Sequence, residues 1–187
     1  MKYFIGIVPP TDQSEQIDEL RRKYPGRHLA HIDPHITLIP PLEFTETPFD
    51  WLQMIEQTLA EIQPFSIQLG QPGFFSQRVL FLNVHILRAK GKESNALHRM
   101  YEKMQSVTEP YRTQASQYAQ SNRNGSFHPH LTVAMASFGT SFSVMTQMYA
   151  DATVLSPLFH PFIVRSVRVF VKTPERWIPY RDINLAK

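Results

Sequence analysis

Apolar positions along the chain recur with two different periods, and the switches between them divide it into eleven expected elements. The run "KYFIGIV" (2–8) is β-branched and aromatic and stops at Pro9-Pro10, which predicts a strand. "TDQSEQIDELRRKY" (11–24) opens with a Thr-Asp cap signal and spaces Ile17, Leu20 and Tyr24 as a helix does. "HITLI" (35–39) predicts a short strand closed by Pro40-Pro41. "PFDWLQMIEQTLAEI" (48–62) repeats Trp51, Leu52, Ile55, Leu59 and Ile62 at helical spacing. "FSIQLG" (65–70) alternates as a strand, and "VLFLNVHI" (79–86) is a near-continuous apolar run of the kind that forms a buried strand. "KESNALHRMYEKMQSV" (92–107) sets Leu97, Met100, Tyr101 and Met104 on one helical face. Residues 108–126 are polar and predict a long loop. "HLTVAMA" (130–136) predicts a strand, "SFSVMTQMYADA" (141–152) a helix with a Ser cap, and "FIVRSVRVFVK" (162–172) one strand. Pro174 to Pro179 predict the turn before a last strand near 180–185.

The expected order is β α β α β β α β α β β, which reads as one topology written twice. Each copy holds the same phrase on its middle strand. "DPHITLIPP" (33–41) and "FHPHLTVAM" (127–135) both contain Pro-His-aliphatic-Thr-aliphatic. With 8 His and 12 Thr in 187 residues, chance gives roughly 0.5 His-x-Thr tripeptides, and roughly 0.04 preceded by Pro. The chain holds two His-x-Thr tripeptides, and both follow Pro. Side chains two apart on a strand share a face. His35 therefore points with Thr37, and His130 with Thr132, while Ile36, Leu38, Leu131 and Val133 point into a core.

Two imidazoles and two hydroxyls on facing strands suit phosphodiester chemistry. A neutral His accepts a proton from attacking water and a protonated one returns a proton to the leaving oxygen, since an imidazole pKa near 6.5 populates both states. The threonine hydroxyls donate to the non-bridging oxygens, where charge grows.

Composition narrows the class of protein. Hydrophobic residues make up 42% and charged ones 19%, enough for a sizeable core and too few charges for a disordered chain. One domain over 1–187, built of two lobes, is expected. The lack of cysteine removes disulfides, thiol nucleophiles and thiolate zinc sites and fits a reducing compartment. No signal-peptide pattern and no apolar run long enough to span a membrane is present, so a soluble cytoplasmic protein is expected. The net charge of +3 is compatible with an anionic substrate. The basic clusters Arg21, Arg22, Lys23 and Arg27, and Arg88, Lys90 and Lys92, are expected at solvated helix ends or loops.

These paired motifs, His35-Ile36-Thr37-Leu38 and His130-Leu131-Thr132-Val133, resemble those of the two-histidine (2H) phosphoesterase superfamily, in its RNA 2′,5′-ligase / 2′,3′-cyclic phosphodiesterase branch. "YFIGIVPP", "GFFSQRVLFLNV" and "VRSVRVFVKTPERWIPYRDINL" are similar to that family's opening strand, mid-chain strand approach and closing hairpin. The resemblance implies a bilobal, pseudo-two-fold α+β fold with duplicated β-sheets, helices on the outer faces, a cleft between the lobes, and both chain ends in one lobe. It implies catalytic His35 and His130, phosphate-binding Thr37 and Thr132, no cofactor, and a substrate such as an RNA end or a cyclic nucleotide. Family members often follow the second motif with a basic residue, whereas this chain has Met135. Arg78, Arg123 and Lys172 are the candidates to supply a cation, and Phe44, Phe74 and Phe75 are aromatic candidates to stack on a base.

His128 and His31 lie close to the motifs and are expected at the surface and in a loop. No His or carboxylate stands at a zinc-motif spacing, so no metal is expected. Hydrolysis of a 2′,3′-cyclic phosphate is the leading expectation. The alternatives are 2′,5′-ligase or phosphodiesterase action, an ADP-ribose cyclic phosphate substrate, and a non-catalytic RNA- or nucleotide-binding module. A monomer is expected.

Overall fold

Eight antiparallel strands form a single sheet in the order β6-β3-β4-β5-β2-β1-β7-β8, seen in a computed structural model that describes residues 1–25, 32–44, 48–87, 95–113 and 127–187. The strands are β1 Lys2–Ile7, β2 Ile36–Glu43, β3 Phe65–Phe75, β4 Val79–Ile86, β5 His130–Met135, β6 Phe162–Val164, β7 Ser166–Lys172 and β8 Trp177–Asn184. The helices are α1 Thr11–Arg22, α2 Pro48–Leu59, α3 Ala96–Thr108 and α4 Phe142–Leu155. The class is α+β, with the sheet curled into a half-barrel.

The order becomes symmetric when read outward from its centre. One arm runs β2-β1-β7-β8 and the other β5-β4-β3-β6. The first arm, a terminal lobe, holds both chain ends, and the second is a central lobe. The duplicated sheets are thus continuous, joined where Ile36 of β2 pairs with Leu131 of β5. The helices cross over symmetrically too. α1 follows β1 yet packs on β5 and α4 of the central lobe, while α3 follows β4 yet packs on β2 and α2 of the terminal lobe.

The helices cover one face of the sheet. Ile17 and Leu20 of α1, Trp51, Leu52, Ile55 and Leu59 of α2, Leu97, Met100 and Met104 of α3, and Met145, Met148 and Ala152 of α4 are all buried in one core with the strands' inward residues. Each fully buried aliphatic side chain contributes about 1.5–3 kcal/mol. Ser141 caps α4 by accepting from the Val144 N–H, as its position suggests. α1 differs, because Pro10 stands at its N-cap and no side chain caps it.

Three departures from the expected strands share a cause. β2 runs through Pro40-Pro41 and β8 through Pro179, read from sequence as a strand end and a turn, and β3 runs through Pro72, beyond the expected end at Gly70. Proline has no N–H for the ladder and is tolerated at bulges and edges. Pro40 and Pro41 sit in the register shift between the Tyr3↔Leu42 and Ile5↔Ile39 pairs. Pro72 sits in the shift after Leu69, and Pro179 follows the shift between Val169 and Phe170 on an edge strand. The run 162–172 is a fourth departure. It breaks at Arg165 into β6, which pairs β3 in the central lobe, and β7, which pairs β1 in the terminal lobe. No helix among the described residues is long and apolar enough to cross a membrane.

Candidate active site

The motif strands carry the same defect at the same place. On β2, Thr37 faces Gly6 while Ile39 faces Ile5, so Leu38 is an extra residue. On β5, Thr132 faces Phe81 while Ala134 faces Leu80, so Val133 is extra. Each motif's last aliphatic residue is therefore bulged, and a bulge re-aims its strand and is common beside active sites. The consecutive pairs Leu38-Ile39 and Val133-Ala134 are in consequence both buried in the helix-side core.

Ahead of each bulge the alternation is intact. Ile36 and Leu131 point into the core, and His35, Thr37, His130 and Thr132 lie on the opposite, concave face, each partly accessible. The Ile36↔Leu131 pairing fixes their mutual arrangement. In that antiparallel register position 35 lies across from 132, and 37 from 130. Each histidine thus faces the other strand's threonine. The two histidines are diagonal neighbours, about 7–8 Å apart in a regular ladder and somewhat closer at Cβ.

Both rings are held identically. His35 Nδ1 lies 2.7 Å from the Asp33 carbonyl, and His130 Nδ1 lies 2.7 Å from the His128 carbonyl. A carbonyl oxygen can only accept, so each Nδ1 carries the hydrogen and donates it. The neutral ring then presents the Nε2 lone pair.

Each ring also leans on a pair of stacked phenylalanines. Phe4 of β1 and Phe170 of β7 stack at 4.3 Å, and their centroids lie 4.6 and 5.9 Å from that of His35. Phe75 of β3 and Phe81 of β4 stack at 4.1 Å, with centroids 4.9 and 5.4 Å from that of His130. This apolar crowding pushes the His35 imidazole down to about 4, helped by the nearby charges of Arg21 and His130. Burial pushes His130 down as well, against the His128 carbonyl, whose hydrogen bond favours the charged ring.

Gly6 leaves room for the first ring. A Cβ there would stand 2.9 Å from the Ile36 carbonyl oxygen and 3.3 Å from His35 Cδ2. Arg21, expected at a solvated helix end, is instead buried. Its Nη2 donates to the Thr132 carbonyl at 2.7 Å, and its Nη1 to Asp18 at 2.9 Å and to the Ile32 carbonyl at 3.4 Å. It ties α1 to the second motif strand and to the approach of the first. Gln105 of α3 does the mirror task, donating from Nε2 to the Leu38 carbonyl at 3.0 Å. Both carbonyls lie at the bulges, where the ladder is interrupted.

The remaining candidates scatter. Lys172 is exposed on β7 with its Nζ 5.8 Å from the Trp177 ring, two positions from Phe170 on the same face. Arg78 is exposed at the β3–β4 turn, where Ser76 and Gln77 have φ of 46° and 56°. Phe44 is corrected to the helix side, stacked on Trp51 at 4.5 Å. Phe74 likewise packs on Phe142 and Tyr149, whereas Phe75 reaches His130. His128 is exposed, and its Nε2 lies 3.0 Å from Asn83 Oδ1. Arg123, His31, Arg27, Arg88, Lys90 and Lys92 lie outside the described residues. Sequence reasoning missed Gly6, Arg21 and the aromatic pairs. A glycine inside the "YFIGIV" run was the one available signal, since glycine within a strand marks a close approach.

Comparison with known proteins adds four findings. The model of the 2′-5′ RNA ligase superfamily matches residues 9–157. A protein of Bacillus cytotoxicus named "Putative phosphoesterase" is 30% identical over 137 residues, covering 72% of this chain and 69% of its own. One of Oceanobacillus iheyensis with the same name is 25% identical over 135 residues, covering 72% and 70%. The crystal structure of TT0787 from Thermus thermophilus superposes with a TM-score of 0.62 at 16% identity, over 99% of this chain and 98% of that one, a likeness of fold.

Proposed function

The chain belongs to the 2′-5′ RNA ligase superfamily, and from that premise we propose that it is a metal-independent phosphodiesterase opening 2′,3′-cyclic phosphates at RNA ends or on nucleotides. The observation that carries this reading is the matched presentation of two Nε2 atoms, each with its Nδ1–H fixed on a backbone carbonyl.

A cyclic phosphate seated between the motif strands meets one imidazole on each side. One Nε2 takes a proton from water as the water oxygen bonds to phosphorus. The other, protonated, gives its proton to the 2′ or 3′ oxygen as that P–O bond breaks. Thr37 and Thr132 donate hydrogen bonds to the non-bridging oxygens, where negative charge accumulates. Both rings are neutral when the site is free, because burial disfavours the charged form. The arriving phosphate anion favours an imidazolium and so recruits the acid.

The test is a panel of 2′,3′-cyclic mononucleotides and RNA oligomers with cyclic ends, with the product identified as 2′- or 3′-phosphate. His35→Ala and His130→Ala are each expected to lower kcat/KM by about 10²–10⁴-fold with the fold retained by circular dichroism. Full turnover in the double variant would refute the mechanism. Chelator is expected to leave the rate unchanged, and inhibition reversed by zinc would refute metal independence. Binding without product would make the protein a nucleotide-binding module.

A further inference from the structure

The two arms of the sheet match strand for strand, so a charge present in one and missing from the other has meaning. Across the terminal lobe the register runs Thr37↔Gly6, Gly6↔Arg168 and Arg168↔Asp182. These four residues form one row on the concave face, since Val167 and Val169, on either side of Arg168, point into the core. In the central lobe the corresponding row is Thr132↔Phe81 and Phe81↔Gly73. Glycine thus stands where the terminal lobe has Arg168, and a Cβ there would meet Phe81 Cζ at 2.8 Å.

Arg168 is oriented rather than loose. Its Nε donates to Asp182 Oδ1 at 2.7 Å and its Nη2 to Asp182 Oδ2 at 2.8 Å. That fork–fork pair holds the guanidinium plane fixed. Among the described residues its other N–H groups have no acceptor, and its side chain keeps 30% of its exposure. The charge of Asp33, two residues before His35, reaches it. Gly6, between it and Thr37 in the row, carries no side chain, and the edge of the His35 ring takes up the space there. Two strand spacings put the Arg168 backbone about 10 Å from that of Thr37. A guanidinium anchored outward on Asp182 does not share the phosphate held at Thr37.

We infer that Arg168 is the binding residue for a second phosphate of the substrate, one covalently linked to the reacting cyclic phosphate through the nucleoside. This deepens the phosphodiesterase reading and rests on it. A phosphate can bond the free N–H groups while the Asp182 pair keeps the fork in place. Because the central lobe has glycine at the matching position, the substrate has one orientation, with its further phosphate toward β7. Lys172, two residues past Phe170 on the same face, extends the positive edge in that direction. The substrate class is therefore a nucleotide carrying a 5′-phosphate or a strand continuing to a further phosphodiester.

The experiment compares kcat/KM for cytidine 2′,3′-cyclic phosphate, its 5′-phosphorylated form, and a dinucleotide with a cyclic end. The wild type is expected to favour one or both of the latter about tenfold or more, as a charge-assisted hydrogen bond implies. Arg168→Gln is expected to reduce that ratio to near unity. Arg168→Lys keeps part of it, and Asp182→Asn keeps most of it. Preference for the 5′-phosphorylated form alone identifies a terminal phosphate, and preference for the dinucleotide alone a strand. A ratio unaltered by Arg168→Gln, no ratio in the wild type, or equal loss in Arg168→Gln and Asp182→Asn overturns the inference. If the wild type turns over none of the three, the phosphodiesterase reading fails. Calorimetric titration of the same three compounds then reads the Arg168 ratio as Kd, with the same outcomes deciding it.

Discussion

Ile36 of β2 pairs with Leu131 of β5, and among the described residues this is the one backbone pairing between the two lobes. Both side chains are fully buried. The histidine and threonine of each motif straddle this pair, so its packing sets the distance between the two imidazoles. Leu131→Ala is expected to cost about 2–5 kcal/mol by urea unfolding. It is also expected to lower kcat/KM by more than the unfolded fraction explains. Leu97→Ala, equally buried in α3, serves as the comparison, with a similar loss of stability and no matching loss of rate.

Acid is expected to weaken the fold through His35. Its folded pKa is pushed down to about 4, below the unfolded value near 6.5. Between those values the unfolded chain binds the extra proton, so stability rises with pH. The contribution is complete above about pH 6.5 and is lost as the pH falls toward about 4, at most about 3 kcal/mol. Unfolding of wild type and His35→Gln across that window is expected to differ in slope, with the variant flatter. Parallel slopes would contradict it.

The same shifts place the rate profile. Because kcat/KM reports the free protein, both limbs of its bell are expected on the acid side of the ordinary histidine value. The kcat profile lies at higher pH, since the bound phosphate anion stabilises the imidazolium.

Gly6→Ala tests the room beside His35. The new methyl meets the Ile36 carbonyl, which is backbone and yields little. We expect about 1–3 kcal/mol of destabilisation and at least a tenfold drop in kcat/KM, with the displaced ring visible as altered His35 chemical shifts.

Arg21→Met tests the tie between α1 and the motif strands. It leaves the Thr132 carbonyl without this donor, at a cost of about 1–3 kcal/mol in unfolding experiments. It also removes a positive charge near His35, so the acid limb of kcat/KM is expected to move to higher pH. Arg22→Met, on an exposed neighbour, moves neither.

The motif strands were legible in the sequence because alternation alone assigns His and Thr to one face and the aliphatics to the other. The bulges were not, since Leu38-Ile39 and Val133-Ala134 read as ordinary apolar neighbours and only the partner strand shows that one residue is extra. The break at Arg165 was hidden for a related reason. "FIVRSVRVFVK" contains neither Gly nor Pro, and both of its pieces satisfy strand propensity. What divides them is which neighbour each finds, a long-range property. Arg21 looked solvated beside Arg22 and Lys23, because a helix of ambiguous polarity does not reveal which of three adjacent cations turns inward.

The pairing of β1 with β7 governs when the protein becomes competent during synthesis. Phe75 and Phe81, which flank His130, precede it in the chain, so the aromatic pair around that ring is available once β5 emerges. His35 waits for Phe170, some 135 residues later, and β1 stays an edge strand until β7 arrives. Contacts this distant form late and slowly. A nascent chain or a carboxy-terminal truncation short of β7 therefore holds both histidines and only one of the two aromatic pairs, and such a truncation is expected to show no turnover in the cyclic-phosphate assay.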